Sequence, residues 1–328
     1  MINKIKNFIK IPLVLLLCSV LFVQCDKDDD TVVAAGSSLD ETLAKDADFS
    51  MFKAAITQAK LETFTKGPGP FTIFAPTNAA FAAAGITSAT LTAMDSITLT
   101  ALVLTHFQIS PNGTYTGRTS FEIPEGPNAP MASIAGYSVF AYQDKPAGKI
   151  FVSGAQITER DINCSNGIIH KINKVLLPPV LSTISILTAN PNYSLLVQAI
   201  TKTALTAVYS PATTAPATIF ALPNSVMTAN GYDAAAITAI PPASAALTTL
   251  TNILRYHVVA SRNFSTDLKA GTLKTTYVVA TVPTTVTVSL GTGVSVKGVS
   301  NPTPFLLGPT DIAATNGVIH SIAGMLKP

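Results

Sequence analysis

The sequence predicts an α+β protein built from two copies of one domain, and three observations carry that prediction. First, three blocks recur in the same order at a spacing near 150 residues. FTIFAPTNAAFAAAGI (Phe71 to Ile86) aligns with ATIFALPNSVMTANGY (Ala217 to Tyr232), LTALVLTHFQIS (Leu99 to Ser110) with LTNILRYHVVAS (Leu250 to Ser261), and DINCSNGIIHKINKVLLP (Asp161 to Pro178) with DIAATNGVIHSIAGMLKP (Asp311 to Pro328), at offsets of 146, 151 and 150. A period of that length is a domain duplication, since solenoid repeats are far shorter. Second, helical periodicity comes early in each copy and strand-like alternation late, the pattern of α+β rather than α/β domains. Third, 328 residues is long for one domain and sufficient for two separate cores.

In chain order, the first feature is an export segment. MINKIKNFIK carries Lys4, Lys6 and Lys10, and IPLVLLLCSVLFV follows as an apolar stretch of secretory-signal length. The apolar run ends at LFVQC, with DKDDD behind it. This junction resembles the lipobox of bacterial lipoproteins, which implies cleavage after Gln24 and acylation of Cys25. Residues 1–24 are therefore expected to be a lipoprotein signal peptide, and 25–37 a lipidated cysteine with an acidic spacer. Two or three acyl chains hold a protein stably at a membrane where one does not. Asp26, Lys27, Asp28, Asp29 and Asp30 further resemble a sorting signal for the outer face of a Gram-negative outer membrane. The expected location is the outer membrane, facing the exterior, with the periplasmic face as the alternative.

Charge and cysteine content narrow the function classes. The three lysines of the signal account for the whole formal charge of +3; subtracting them from 21 basic residues leaves 18, against 18 acidic residues. A neutral mature chain lacks the basic face that nucleic-acid binding draws on. Mean hydropathy is high at +0.41, yet after Val23 no apolar run approaches the ~20 residues of a membrane span. Of three cysteines, Cys18 leaves with the signal and Cys25 takes lipid, so Cys164 has no disulfide partner and reads as a small buried residue.

The copies are expected at 38–179 and 180–328. Each opens with an amphipathic helix, marked by Phe49, Phe52, Ile56 and Ala59 in the first and Tyr193, Leu196, Ile200 and Thr203 in the second, with Asp48 and Asn192 as N-caps. Short helices broken at Gly85, Gly231 and Pro241-Pro242 follow the TIFA strands. SVFAYQ, KIFVSG, TVTVSL and VSVKG read as strands, and each copy closes on an Ile-His-x-Ile strand.

These residues resemble the fasciclin domain, a module found singly or in tandem on cell surfaces and in extracellular matrix, and the likeness runs from about Ser38 to Pro328. TIFAPTNAAF matches its first signature, His106 and His257 the histidine of its central helix, and NGIIHKINKVLLP and NGVIHSIAGMLKP its last block. The resemblance implies a β-sandwich or wedge core in each copy with short helices packed around it. It also implies structural motif roles for Asn78, His106, Asn166, His170, Asn224, Asn316 and His320. The Tyr-His pair that animal members are thought to use in integrin contact is present as Tyr256 and His257, which makes those two the candidate binding residues. Copy one has Thr105-His106 instead, and no Arg-Gly-Asp occurs.

The four histidines, His106, His170, His257 and His320, sit at matching positions, two per copy. A metal site needs three or four converging ligands, and no cysteine or carboxylate motif accompanies them. They are expected instead to bond buried backbone beside the Asn166-Gly167 and Asn316-Gly317 turns. Asp161 and Asp311, just upstream, are expected to pair with Arg160 or cap backbone amides. Neither Gly-x-Ser-x-Gly, a P-loop, His-Glu-x-x-His nor a dinucleotide fingerprint occurs, so no catalytic residues, metal or cofactor are expected. The function expected is adhesion to, or binding of, a cell, matrix or polysaccharide ligand on another surface, from a membrane-anchored chain. The alternative is a glycan-capture accessory of an outer-membrane nutrient-uptake system.

Overall fold

The computed structural model describes residues 36–109 and 117–328. The signal segment, Cys25 and the acidic spacer up to Ala35 lie outside the described residues.

Each copy opens on a helical hook. Ser38 caps helix Leu39–Lys45 with a reciprocal capping box to Glu41, and the second copy repeats the helix as Thr183–Ala189 under Ser182. A single 3-10 turn then leads into the amphipathic helices Ser50–Gln58 and Ser194–Lys202. The caps fall two residues earlier than the sequence suggests. Asp46 accepts the Asp48 amide at 2.9 Å and Asn190 the Asn192 amide at 3.0 Å, because the 3-10 turn itself starts there and the side chain of the residue before it reaches the first orphan donor. Phe49, Phe52 and Ile56, and Tyr193, Leu196 and Ile200, are buried as the periodicity requires.

The TIFA strands are the axis of both copies. Phe71–Pro76 pairs in parallel with the terminal strand Gly167–Ile172, placing Ile73 beside Ile169, and antiparallel with Phe107–Ile109. Ala217–Ala221 does the same with Gly317–Ser321 and Val258–Val259. Every residue of both TIFA strands is buried. Successive side chains point to opposite faces. In the first copy Ile73 enters the cluster under the helices and Phe74 the cluster of the β-layer. A strand covered on both faces loses the polar alternation of a half-exposed one.

Within this α+β plan the two copies differ in how the remaining strands close. In copy one Phe71–Pro76, Phe107–Ile109, Ala129–Ser133, Ser138–Asp144, Lys149–Val152, Ala155–Cys164 and Gly167–Ile172 form a closed barrel in that order. Copy two splits into a four-stranded sheet around Ala217–Ala221 and a second sheet of Gly271–Val279, Val282–Leu290, Val294–Lys297 and Phe305–Leu306. The isolated bridge Leu307 to Ile322 joins them, flanked by the backbone bonds of Gly308 to Ser321 and Ala323 to Leu306. Among the described residues no helix is long and apolar enough to cross a membrane.

Candidate functional site

The matched polar residues of the two copies fall into three sets, and each set makes closely similar bonds in both copies. His106 and His257 end the central helices Ser96–Thr105 and Ala245–Tyr256. In each, Nδ1 donates to the carbonyl four residues back, Leu102 or Ile253, at 2.8 Å. Nε2 accepts a backbone amide of the C-terminal segment, Leu176 at 3.0 Å or Leu326 at 2.9 Å. Both rings are fully buried. The pairing requires the neutral Nδ1–H tautomer, and burial pulls both pKa values from 6.5 down to about 4.

His170 and His320 carry the opposite tautomer. Their Nε2 donates to the carbonyl of Arg118 at 2.9 Å or Asn263 at 2.8 Å, while Nδ1 accepts the amide of Asp161 or Asp311 at 3.2 Å. Burial lowers both pKa values, outweighing the neighbouring aspartate. Those aspartates have left-handed backbones, φ 59° and 64°, a conformation Asp tolerates better than most residues. Asp161 takes the Ser120 amide and hydroxyl, and Asp311 the Ser265 amide and hydroxyl, at 2.5 to 2.6 Å. Backbone capping is thus the role found; among the described residues no ion pair joins Asp161 to Arg160, whose charge only helps to lower the Asp161 pKa.

The asparagines complete the frame. Asn166 accepts the Leu39 amide and donates to the carbonyls of Thr65 and Gly67; Asn316 accepts from Thr183 and donates to Pro211 and Ser210. Asn78 ties Met51, Ala47 and Ser50 together, as Asn224 ties Leu195, Pro191 and Ser194. Glycine follows Asn166 and Asn316 because the chain passes so close to the TIFA strand. A Cβ would sit 2.3 Å from the Phe71 carbonyl oxygen at Gly167 and 2.2 Å from that of Ala217 at Gly317.

Within both copies, then, the polar signature residues hold backbone to backbone. The fasciclin domain matches residues 47–178 and again residues 191–328. The chain belongs to the fasciclin domain family. It is 35% identical over 143 residues to the protein sll1483 of Synechocystis sp., covering 73% of that protein and 43% of this chain. It is 29% identical over 149 residues to human periostin, covering 45% of this chain and only 17% of periostin's length. A solved FAS1 domain pair from the insect cell adhesion molecule fasciclin I aligns with 86% of this chain and 97% of that one, at 16% identity and a TM-score of 0.38.

Tyr256 and His257, expected from the fasciclin resemblance to face a partner, lie inside the second domain. Both are fully buried. The Tyr256 hydroxyl donates to the Thr285 carbonyl and accepts the Val299 amide at 3.0 Å. A partner could touch this pair only after the domain opened, so in the folded chain they pack and staple. Cys164 is a half-buried free thiol beside the Thr42 hydroxyl, with its pKa raised by burial. That is the environment of an inert cysteine.

The residues that sequence reasoning missed lie where one fasciclin domain meets the other. Lys174 bonds Asp311 at 2.5 Å, Lys269 bonds Asp144 at 2.5 Å, the Tyr142 hydroxyl donates to the Thr266 carbonyl, and the Asn128 amide to the Arg262 carbonyl. Phe140 lies 6.2 Å from Phe264, centroid to centroid. Gly154, at φ 80°, admits Asp311 so closely that a Cβ would stand 2.6 Å from its carboxyl carbon. Burial tends to raise the Asp311 carboxyl, but Lys174 and its other partners hold it below the usual range. The signal available in the sequence was divergence between copies: Lys174 aligns with Gly324 in the repeat.

Proposed function

We propose that this chain is a membrane-anchored binding protein, lipidated at Cys25 and displayed outward, whose paired fasciclin domains attach to a ligand on another cell, a matrix or a polysaccharide. The observation that carries the reading is the inward commitment of the signature residues. His106, His170, His257, His320 and the four asparagines all serve backbone, so recognition belongs to the outer surface of a pair whose mutual contacts fix its geometry. Adhesion or binding is consistent with fasciclin domains, and the apolar segment ending at Cys25 supplies a route to the surface. Outward display is argued from the acidic run behind Cys25.

The test is to purify the chain lacking its signal and present it to whole cells, matrix proteins and a glycan array. Saturable binding to one class of ligand supports the proposal. Silence across all three overturns it.

A further inference from the structure

The seam between the domains encloses a cleft of about 300 Å³, at the lower end of the range for small-molecule sites. Its walls are mainly apolar, with Val139, Phe140, Leu176 and Phe264 among them, and Lys174, Arg262 and Asp311 are its charged residues. A second hollow of about 290 Å³ adjoins it through Phe140, Pro179 and Arg262.

Arg262 is the anomaly. It is 6% exposed, yet among the described residues it enters no ion pair. Its guanidinium reaches only neutral carbonyls, those of Ala314, Thr315 and Gly317, at long distances of 3.4 to 3.5 Å. Among the described residues its Nε has no partner. Phe140 covers one face of the group at 4.2 Å, so a further partner would have to meet the guanidinium in its plane, at the unsatisfied Nε or in place of the long carbonyl contacts. Burial lowers its pKa to about 10, so it stays charged at neutral pH. Asp311 cannot neutralise it, being occupied by Ser265, Thr310 and Lys174. The lining therefore carries one uncompensated positive charge in a mainly apolar setting, where an unpaired ion is costly.

The repeat shows that this arrangement is not part of the domain's frame. The carbonyls that accept from His320 and His170 belong to Asn263 and Arg118, which makes Gly117 the counterpart of Arg262. Lys174 is matched by Gly324. Each copy thus contributes one cation that the other lacks, and the two converge on one cleft.

We propose that the cleft binds a small organic carboxylate with an apolar body, the carboxylate on Arg262 with Lys174 beside it and the body against Phe140, Phe264 and Leu176. A planar carboxylate suits the guanidinium edge, where two parallel N–H bonds can form. The site goes beyond the adhesive reading and stands or falls apart from it.

Calorimetric titration of the full chain in detergent with phenylacetate and hexanoate, and with their uncharged amides, tests the site. One-to-one saturation by an acid, with the amide at least about tenfold weaker, is expected, as is a loss of at least about tenfold in Arg262→Gln and a smaller loss in Lys174→Met. Equal binding of acid and amide, no saturation by either acid, or undiminished binding by a folded Arg262→Gln overturns it. Should that variant misfold, the acid-against-amide comparison on the native chain decides alone. A chain that binds cells but no acid refutes this site and leaves the adhesive proposal standing.

Discussion

Replacing His257 by glutamine removes a ring that is fully buried and neutral in the folded chain, and the size of the effect should depend on pH. The ring donates to Ile253 and accepts from Leu326, so near pH 7.5 the variant loses about 2 to 3 kcal/mol, chiefly from the unpaired Leu326 amide. The folded pKa is about 4 against an ordinary 6.5. Because it is depressed, the unfolded state takes up the proton first, and the stability contributed by neutral His257 is complete above 6.5 and lost as pH falls toward 4. Between about pH 7.5 and about pH 5 linkage removes about 2 kcal/mol from the native chain and nothing from the variant. The stability gap between them should therefore shrink to about 1 kcal/mol or less at the lower pH. Groups common to both chains cancel, including His106, which acts in the same direction. Asp267 also cancels; burial lifts its pKa to about 7, so it acts in the opposite direction. With no tryptophan in the sequence, urea unfolding is followed by far-ultraviolet circular dichroism at both pH values. A gap that stays constant or widens in acid refutes the neutral, buried staple.

Other outcomes follow from the same geometry. Asn316→Ala strands the Thr183 amide and the Pro211 carbonyl, and should cost about 2 to 4 kcal/mol in urea unfolding. Gly154→Ala forces a side chain onto Asp311 from a left-handed backbone. It should cost about 1 to 3 kcal/mol and increase amide exchange along the seam without disturbing the TIFA strands. Cys25→Ala should abolish incorporation of labelled fatty acid; continued labelling would remove the anchor from the account.

How much of this was legible in the sequence depended on distance along the chain. The duplication, the opening helices, the TIFA strands and the terminal Ile-His strands were readable because their signals are local periodicities repeated twice. The histidines could be read as structural from their lack of converging ligands, but not their tautomers, which depend on carbonyls and amides up to 70 residues away. The caps were misplaced by two residues because a 3-10 turn precedes each helix. Barrel closure in copy one rests on the parallel pairing of Phe71–Pro76 with Gly167–Ile172, and no local pattern encodes it. The seam was hidden for a different reason. Arg262 and Lys174 look like ordinary surface cations until the two domains meet, when Phe140 packs on the one and Asp311 pairs with the other, and only their mismatch with Gly117 and Gly324 marks them.

The central claim, a lipid-held fasciclin pair that binds another surface, is tested most directly by an adhesion assay on cells carrying either the native chain or Cys25→Ala. The account predicts that cells with the native chain gain attachment to cells, matrix or polysaccharide, and that this gain vanishes in the variant although equal amounts of chain are exported. Attachment that is absent with the native chain, or unchanged by the substitution, contradicts it.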